Sequence, residues 1–166
     1  MTDAETGAEG AVSLDSSVLG EVTWLMTQSE LHRDWPVSSV VQWAVPAIMS
    51  KQCRIYRKDG RPVGYVSWAW LSAKTESRFA KDPTSLQPVD WQSGDRLWLI
   101  DWIAPWGGTS AIARDLRTNV FPDDVARGMR WKKDSDTLNI YYLHGRNALD
   151  RARDHTANPA VILEDA

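Results

Sequence analysis

RLWLIDWIAPW, Arg96 to Trp106, is a near-continuous apolar run bounded by Gly94 and Pro105. Its length and the turn formers at its ends predict a strand covered on both faces, at the centre of a sheet with helices against it. One residue breaks the run. Asp101 is a carboxylate among Leu, Ile and Trp, where a charge is normally paired, protonated or at work. Alternate strand residues share a face, so Asp101 is expected to side with Leu97, Leu99 and Ile103, away from Trp98, Ile100 and Trp102. Either Asp101 is structural, capping a backbone turn or pairing with an Arg, or it serves a catalytic partner elsewhere in the chain.

The flanks supply the rest of the sheet. QCRIYRKDGRPVGYVSWAWLS, 52–72, reads as two strands joined at KDGR, a strong hairpin signal. ARGMRWKK and DTLNIYYLHGR read as a second hairpin. A first helix is predicted from Ser16 to near Glu30, with Val18, Val22, Leu25 and Met26 on one face and Ser16 or Ser17 as cap. VSSVVQWAVPAIMS predicts a second, capped by Ser38 or Ser39, with Val40, Val41, Ala44 and Ile48 aligned and a kink or end at Pro46. AKTESRFAK predicts a short polar helix, and GGTSAIARDLRTNVFP one capped by Thr109 or Ser110. The order α-α-β-β-α-β-α-β-β specifies an α/β (α+β) fold: a mixed central sheet flanked by helices, in a single domain. The domain is placed at 14–150, with an acidic, disordered extension at 1–13 and a polar tail at 151–166.

Composition narrows the function. Ten Trp against two Phe mean either that Trp fills the core or that it lines an apolar binding surface. Cys53 is the only cysteine, so no intramolecular disulfide forms, and a small buried hydrophobe is its default role. No secretory signal or membrane-length apolar run is visible, which predicts a cytoplasmic protein. Residues 1–30 hold six acidic groups and no Lys or Arg, so within a net charge of −3 the remainder carries +3. Lys51, Arg54, Arg57, Lys58 and Arg61 form one basic cluster, and Arg127, Arg130, Lys132 and Lys133 another. These are solvated hairpin faces or a docking surface for an acidic partner; no nucleic-acid motif accompanies them.

Candidate chemistry rests on few residues. His155 lies in the polar tail and His144 ends a strand, whereas His32 sits on a loop between the first helix and a proline. An isolated His is often structural, but one oriented by a buried carboxylate is a standard general base. Three scattered His and one Cys offer no metal-ligand spacing, and no Walker-type loop is present. The glycine pair in APWGGTSAIARD is read as a simple turn ahead of a helix.

Three blocks, VTWLMTQSELHRDWPV, PVGYVSWAWLS and WQSGDRLWLIDWIAPWG, resemble the toxin-activating lysine-acyltransferases of RTX (repeats-in-toxin) toxins. The signature there is H-R-[DN]-W-P, Y-x-S-W-A and G-D-R-x-W-x-I-D-W-I-A-P-[FW], and the resemblance spans roughly residues 20–146. It implies a GNAT-like fold without the usual pyrophosphate loop, acting in the bacterial cytoplasm. It further implies transfer of a fatty acyl group from acyl carrier protein, the co-substrate, to internal lysines of an RTX protoxin, with no bound cofactor or metal. Homodimers occur in that family. Its essential His falls on His32, its essential Asp on Asp101, and a supporting Ser on Ser29. Acyl carrier protein is acidic, which makes Lys51, Arg54, Arg57, Lys58 and Arg61 candidates for its docking site.

The chemistry fits those residues. A lysine amine has a reference pKa of about 10.4 and is protonated at neutral pH, so a base must take its proton as it attacks the thioester. Imidazole, with a reference pKa of about 6.5, is available neutral, and a carboxylate fixes its tautomer. His32 then acts as base, or as a transiently acylated nucleophile. Two other functions compete: a GNAT-like transferase using acyl-CoA and another amine, and a Trp-rich binding module without catalysis.

Overall fold

The computed structural model describes residues 14–131 and 138–153. The extension at 1–13, Lys132 and Lys133, and the tail from Asp154 with His155 lie outside them.

Five strands lie side by side in chain order: β1 (Cys53–Lys58), β2 (Arg61–Leu71), β3 (Arg96–Ile103), β4 (Val125–Trp131) and β5 (Leu138–His144). RLWLIDWI is therefore the middle strand, as its apolar run predicts. The sheet is mixed: β3 and β4 run parallel and pair only at Trp98↔Arg127 and Leu99↔Gly128, while the other neighbours are antiparallel. The first hairpin turns on Asp59 and Gly60, with φ of 50° and 75°. Positive φ at both positions matches the right-handed strand twist, which is why Asp-Gly reads as a hairpin.

Helices cover both faces. Helix α1 (Ser16–Gln28) and helix α2 (Val45–Met49) pack Val22, Leu25, Met26 and Ile48 against Tyr65 and Ile103. Helix α3 (Ala73–Lys81) adds Phe79 to a neighbouring cluster with Ala69, Leu71, Trp91 and Trp98 on the same face. On the opposite face, helix α4 (Thr109–Asp115) sets Ile112 against Val66, Leu97 and Leu99, and Leu116 and Phe121 complete that cluster. Some Trp residues fill the core, with Trp91 and Trp98 wholly buried, whereas Trp24, Trp35 and Trp106 are exposed.

Local departures have physical causes. Asp15, not Ser16 or Ser17, caps α1, because its carboxylate accepts from the amides of Ser17 and Val18. The second helix is not continuous. Val40–Ala44 forms a π-helical turn, with the Val45 N–H donating to the Val40 carbonyl. Pro46 has no N–H to give and its ring crowds the carbonyl four residues back, so the turn widens there. No serine side chain caps it, and Val41 faces solvent rather than the core. Helix α4 begins from Gly108 in a left-handed conformation, not from a Thr109 or Ser110 cap.

The largest correction concerns Asp101. Between Ser67 and Trp68 of β2, their β3 partners jump from Asp101 to Leu99, leaving Ile100 as an extra residue. This β-bulge breaks the two-residue period, and bulges characteristically re-aim a side chain. Leu97 and Leu99 pack toward α4, whereas Ile100 packs with Trp98 and Ile103 packs under α1. Asp101 joins the α1 side, away from Leu97 and Leu99.

Candidate active site

Helix α1 ends at Ser29, and the chain folds back at once. The Ser29 carbonyl accepts from the amides of His32 (3.1 Å) and Arg33 (2.9 Å), and the His32 carbonyl accepts from Trp35 (2.9 Å). These tight turns hold His32 against the helix end, with its ring 4.6 Å from that of Trp35. Its side chain is 1% exposed, and that of Asp101 is 13% exposed.

The structure brings Ser29, His32 and Asp101 together. His32 Nε2 lies 2.9 Å from Asp101 Oδ1, and Nδ1 lies 2.7 Å from Ser29 Oγ. Asp101 Oδ1 also accepts the Trp102 backbone N–H at 2.8 Å, which fixes the carboxylate from its own strand. A carboxylate only accepts, so in the neutral ring Nε2 carries the imidazole hydrogen and Nδ1 presents its lone pair to the Ser29 hydroxyl. The result is a directed chain, Ser29 O–H to Nδ1 and Nε2–H to Asp101, with the basic nitrogen facing the serine. Asp101 is thus paired with His32 rather than with an Arg.

Two residues that sequence reasoning did not single out stand behind this chain. Ser67 is the direct cross-strand partner of Asp101, and Tyr65 lies two residues earlier on the same face. Both are buried, and Tyr65 Oη and Ser67 Oγ lie near each other without forming a hydrogen bond of proper geometry. Burial pushes the Tyr65 phenol well above its ordinary value, and Cys53 and Asp101 nearby add to this. Both lie in the PVGYVSWAWLS block, but their closeness to Asp101 follows from register, which no single stretch displays. Cys53 packs half-buried under α1 as expected, its thiol pushed up to about 11 by burial.

The basic cluster is divided. Arg57 forms an ion pair with Glu21 of α1, and Arg54 Nε lies 3.1 Å from Asp115 Oδ2. Tyr56 also donates to Asp115, at 2.8 Å. Lys51, Lys58 and Arg61 are exposed, and no ion pair engages them among the described residues. Among the described residues no three His, Cys, Asp or Glu side chains form a metal-holding group, and no helix is long and apolar enough to cross a membrane.

Known proteins extend the resemblance to most of the chain. The sequence profile of the RTX toxin acyltransferase family matches residues 13–142. The chain is 40% identical over 143 residues to the RTX-II toxin-activating lysine-acyltransferase ApxIIC of Actinobacillus pleuropneumoniae, covering 86% of this chain and 89% of that protein. It is 43% identical to the protein-lysine myristoyltransferase RtxC of Kingella kingae, over 79% of this chain and 78% of that one. Against the protein-lysine myristoyltransferase HlyC of Escherichia coli it is 42% identical, over 77% and 75%. With a family profile over residues 13–142, which include Ser29, His32 and Asp101, and three relatives of 40–43% identity, the protein belongs to the RTX toxin acyltransferase family and is an acyltransferase.

Proposed function

We propose that this protein activates an RTX protoxin in the bacterial cytoplasm by moving a fatty acyl group from acyl carrier protein to internal lysine side chains. The observation that carries the proposal is the bonded chain Ser29–His32–Asp101, which presents a basic nitrogen, Nδ1, behind a hydroxyl. Relatives named as toxin-activating lysine-acyltransferases and protein-lysine myristoyltransferases supply the substrate class.

In this mechanism the neutral lysine amine, its ammonium proton first released to solvent, attacks the thioester carbonyl and forms the C–N bond. The proton it then sheds passes to Nδ1 through the Ser29 hydroxyl, because the ring is almost fully buried and both its nitrogens are bonded. Asp101 stabilises the imidazolium that results. Collapse of the tetrahedral intermediate breaks the C–S bond, and the departing thiolate recovers the proton from His32. An acyl-imidazole on His32 is disfavoured, since the buried ring would first have to surrender its bond to Ser29.

The experiment is intact-mass analysis of a lysine-bearing protoxin fragment incubated with the protein and fatty-acylated acyl carrier protein. His32→Ala and Asp101→Asn are each expected to slow the mass gain by about 10²–10⁴-fold, the usual share of general-base catalysis. Ser29→Ala should slow it less, because water can take the hydroxyl's place. A gain that survives both His32→Ala and Asp101→Asn overturns the assignment. An acyl adduct trapped on Ser29 would instead make the serine a nucleophile.

A further inference from the structure

The bulge that turns Asp101 toward His32 also leaves Ile100 on the same face, so one strand delivers a carboxylate and an apolar side chain side by side. Ile100 does not stand alone. Leu99 pairs with Gly128 across β3–β4, one residue before Ile100 and Met129, which pack on the same cluster, and Met129 pairs directly with Ile140 across β4–β5. Ile100, Met129 and Ile140 therefore form a row across three strands. Two strand spacings make it about 10 Å long.

All three side chains are half-buried and pack on the cluster built around Trp98 and Phe79, together with Trp43 of the π-helical turn. Helices α1, α2 and α3 make their main sheet contacts on β2, so none of them fully covers this row. One end of the row adjoins the residue that holds the catalytic base. The other lies on β5, the last strand of the sheet.

We propose that this row is the bed for the hydrocarbon tail of the acyl donor, and that Ile140 at its far end limits the tail length accepted. The inference rests on the acyltransferase reading above and deepens it. An acyl group whose carbonyl lies at Ser29 and His32 must direct its tail somewhere, and the row offers apolar surface continuous with Asp101. Each methylene moved from water onto such a surface strengthens binding about fourfold. Ile140 closes that bed, so methylenes that stop short of its side chain gain fully, while a longer tail runs into it and is penalised.

Two measurements test this. Carrier protein loaded with octanoyl, dodecanoyl, myristoyl and palmitoyl groups is compared as donor for the wild-type protein and for Ile140→Trp and Ile140→Ala. Ile140→Trp should lower the palmitoyl-to-octanoyl ratio of kcat/KM at least tenfold, and Ile140→Ala should raise it. Ratios unchanged in both folded variants overturn the inference. Independently of turnover, carrier protein bearing a palmitoyl group with a terminal diazirine is photolysed with the wild-type protein and the labelled peptides are mapped. Labels on the β4–β5 hairpin support the row, and labels confined elsewhere overturn it. A wild-type protein that labels at the row yet transfers no acyl group would sink the acyltransfer reading while leaving the apolar bed standing. If Ile140→Trp changes only the oligomeric state in light scattering, with tail preference intact, the row is a contact between copies and the inference fails.

Discussion

Asp101 Oδ1 accepts from both His32 and the Trp102 amide, and across the strand pair Ser67 faces it with a hydroxyl that has no partner. Directly opposed residues on antiparallel strands hold their Cβ atoms about 4.5–5.5 Å apart, which puts the serine within a short reach of the carboxylate. A buried hydroxyl without a partner costs stability. Ser67→Ala is therefore expected to raise stability by about 1 kcal/mol, the relief of one orphaned group. The rate of acyl transfer should stay close to that of the wild type, since the hydroxyl makes no bond to Asp101. Thermal melting and single-turnover rates check the two halves separately; a clear loss of rate would mean that the hydroxyl engages Asp101 during turnover. His32, Ser29 and Asp101 were all legible from motif blocks in the sequence. The direction of Asp101 was not, because a period-two reading of RLWLIDWI has no means of seeing an extra residue at Ile100. Ser67 and Tyr65 were hidden for a related reason, since strand register brings them to the site.

The elements themselves were readable where local chemistry acts alone. The Asp-Gly turn of the first hairpin obeys such a short-range rule. The π-helical turn at Val40–Ala44 needed one further step, from a proline recognised as a kink to the widened turn it enforces. Helix α3 forms where AKTESRFAK predicts a short polar helix, but its depth was not legible: Thr75, Glu76, Ser77 and Phe79 are all buried. Glu76 is wholly inaccessible and accepts hydrogen bonds from Arg96 Nη1 and Trp98 Nε1, each at 2.9 Å, with Arg127 Nε 3.2 Å away. One carboxylate thus ties α3 to β3 and β4, the two strands that pair at only two positions. Burial already disfavours the Arg127 charge, and Glu76 works against that. Glu76→Ala should cost about 3–5 kcal/mol, because it strands a buried cation. Denaturant unfolding measures this. A loss below about 1 kcal/mol would mean that water replaces the carboxylate freely.

At the scale of the molecule, charge is what remains to be explained. The sequence groups Lys51, Arg54, Arg57, Lys58 and Arg61 into one patch, but folding separates them by task. Arg57 fastens β1 to α1 through Glu21, and Arg54 fastens it to the end of α4 through Asp115. Reversing those two charges would set like charges against Asp115 and Glu21 and blur any binding result. Lys51, Lys58 and Arg61 have no such duty among the described residues, and all three are exposed. Lys58 and Arg61 flank the hairpin turn at the end of the sheet toward which β3 carries Asp101. Arg61 lies six residues along β2 from Ser67, the partner of Asp101, so an acidic carrier drawn to the turn would dock about 20 Å from the Ser29–His32–Asp101 chain. The triple change to Glu at Lys51, Lys58 and Arg61 should raise the KM for acylated carrier protein about tenfold, within the range of electrostatic steering, while leaving kcat at saturation unaltered. The wild-type KM should climb with added salt as the Debye length shortens, and the variant's should respond weakly. Steady-state kinetics at two ionic strengths reads both effects. An unchanged KM in a variant that melts like the wild type would remove these three cations from carrier recognition, and docking would then have to use uncharged surface nearer His32.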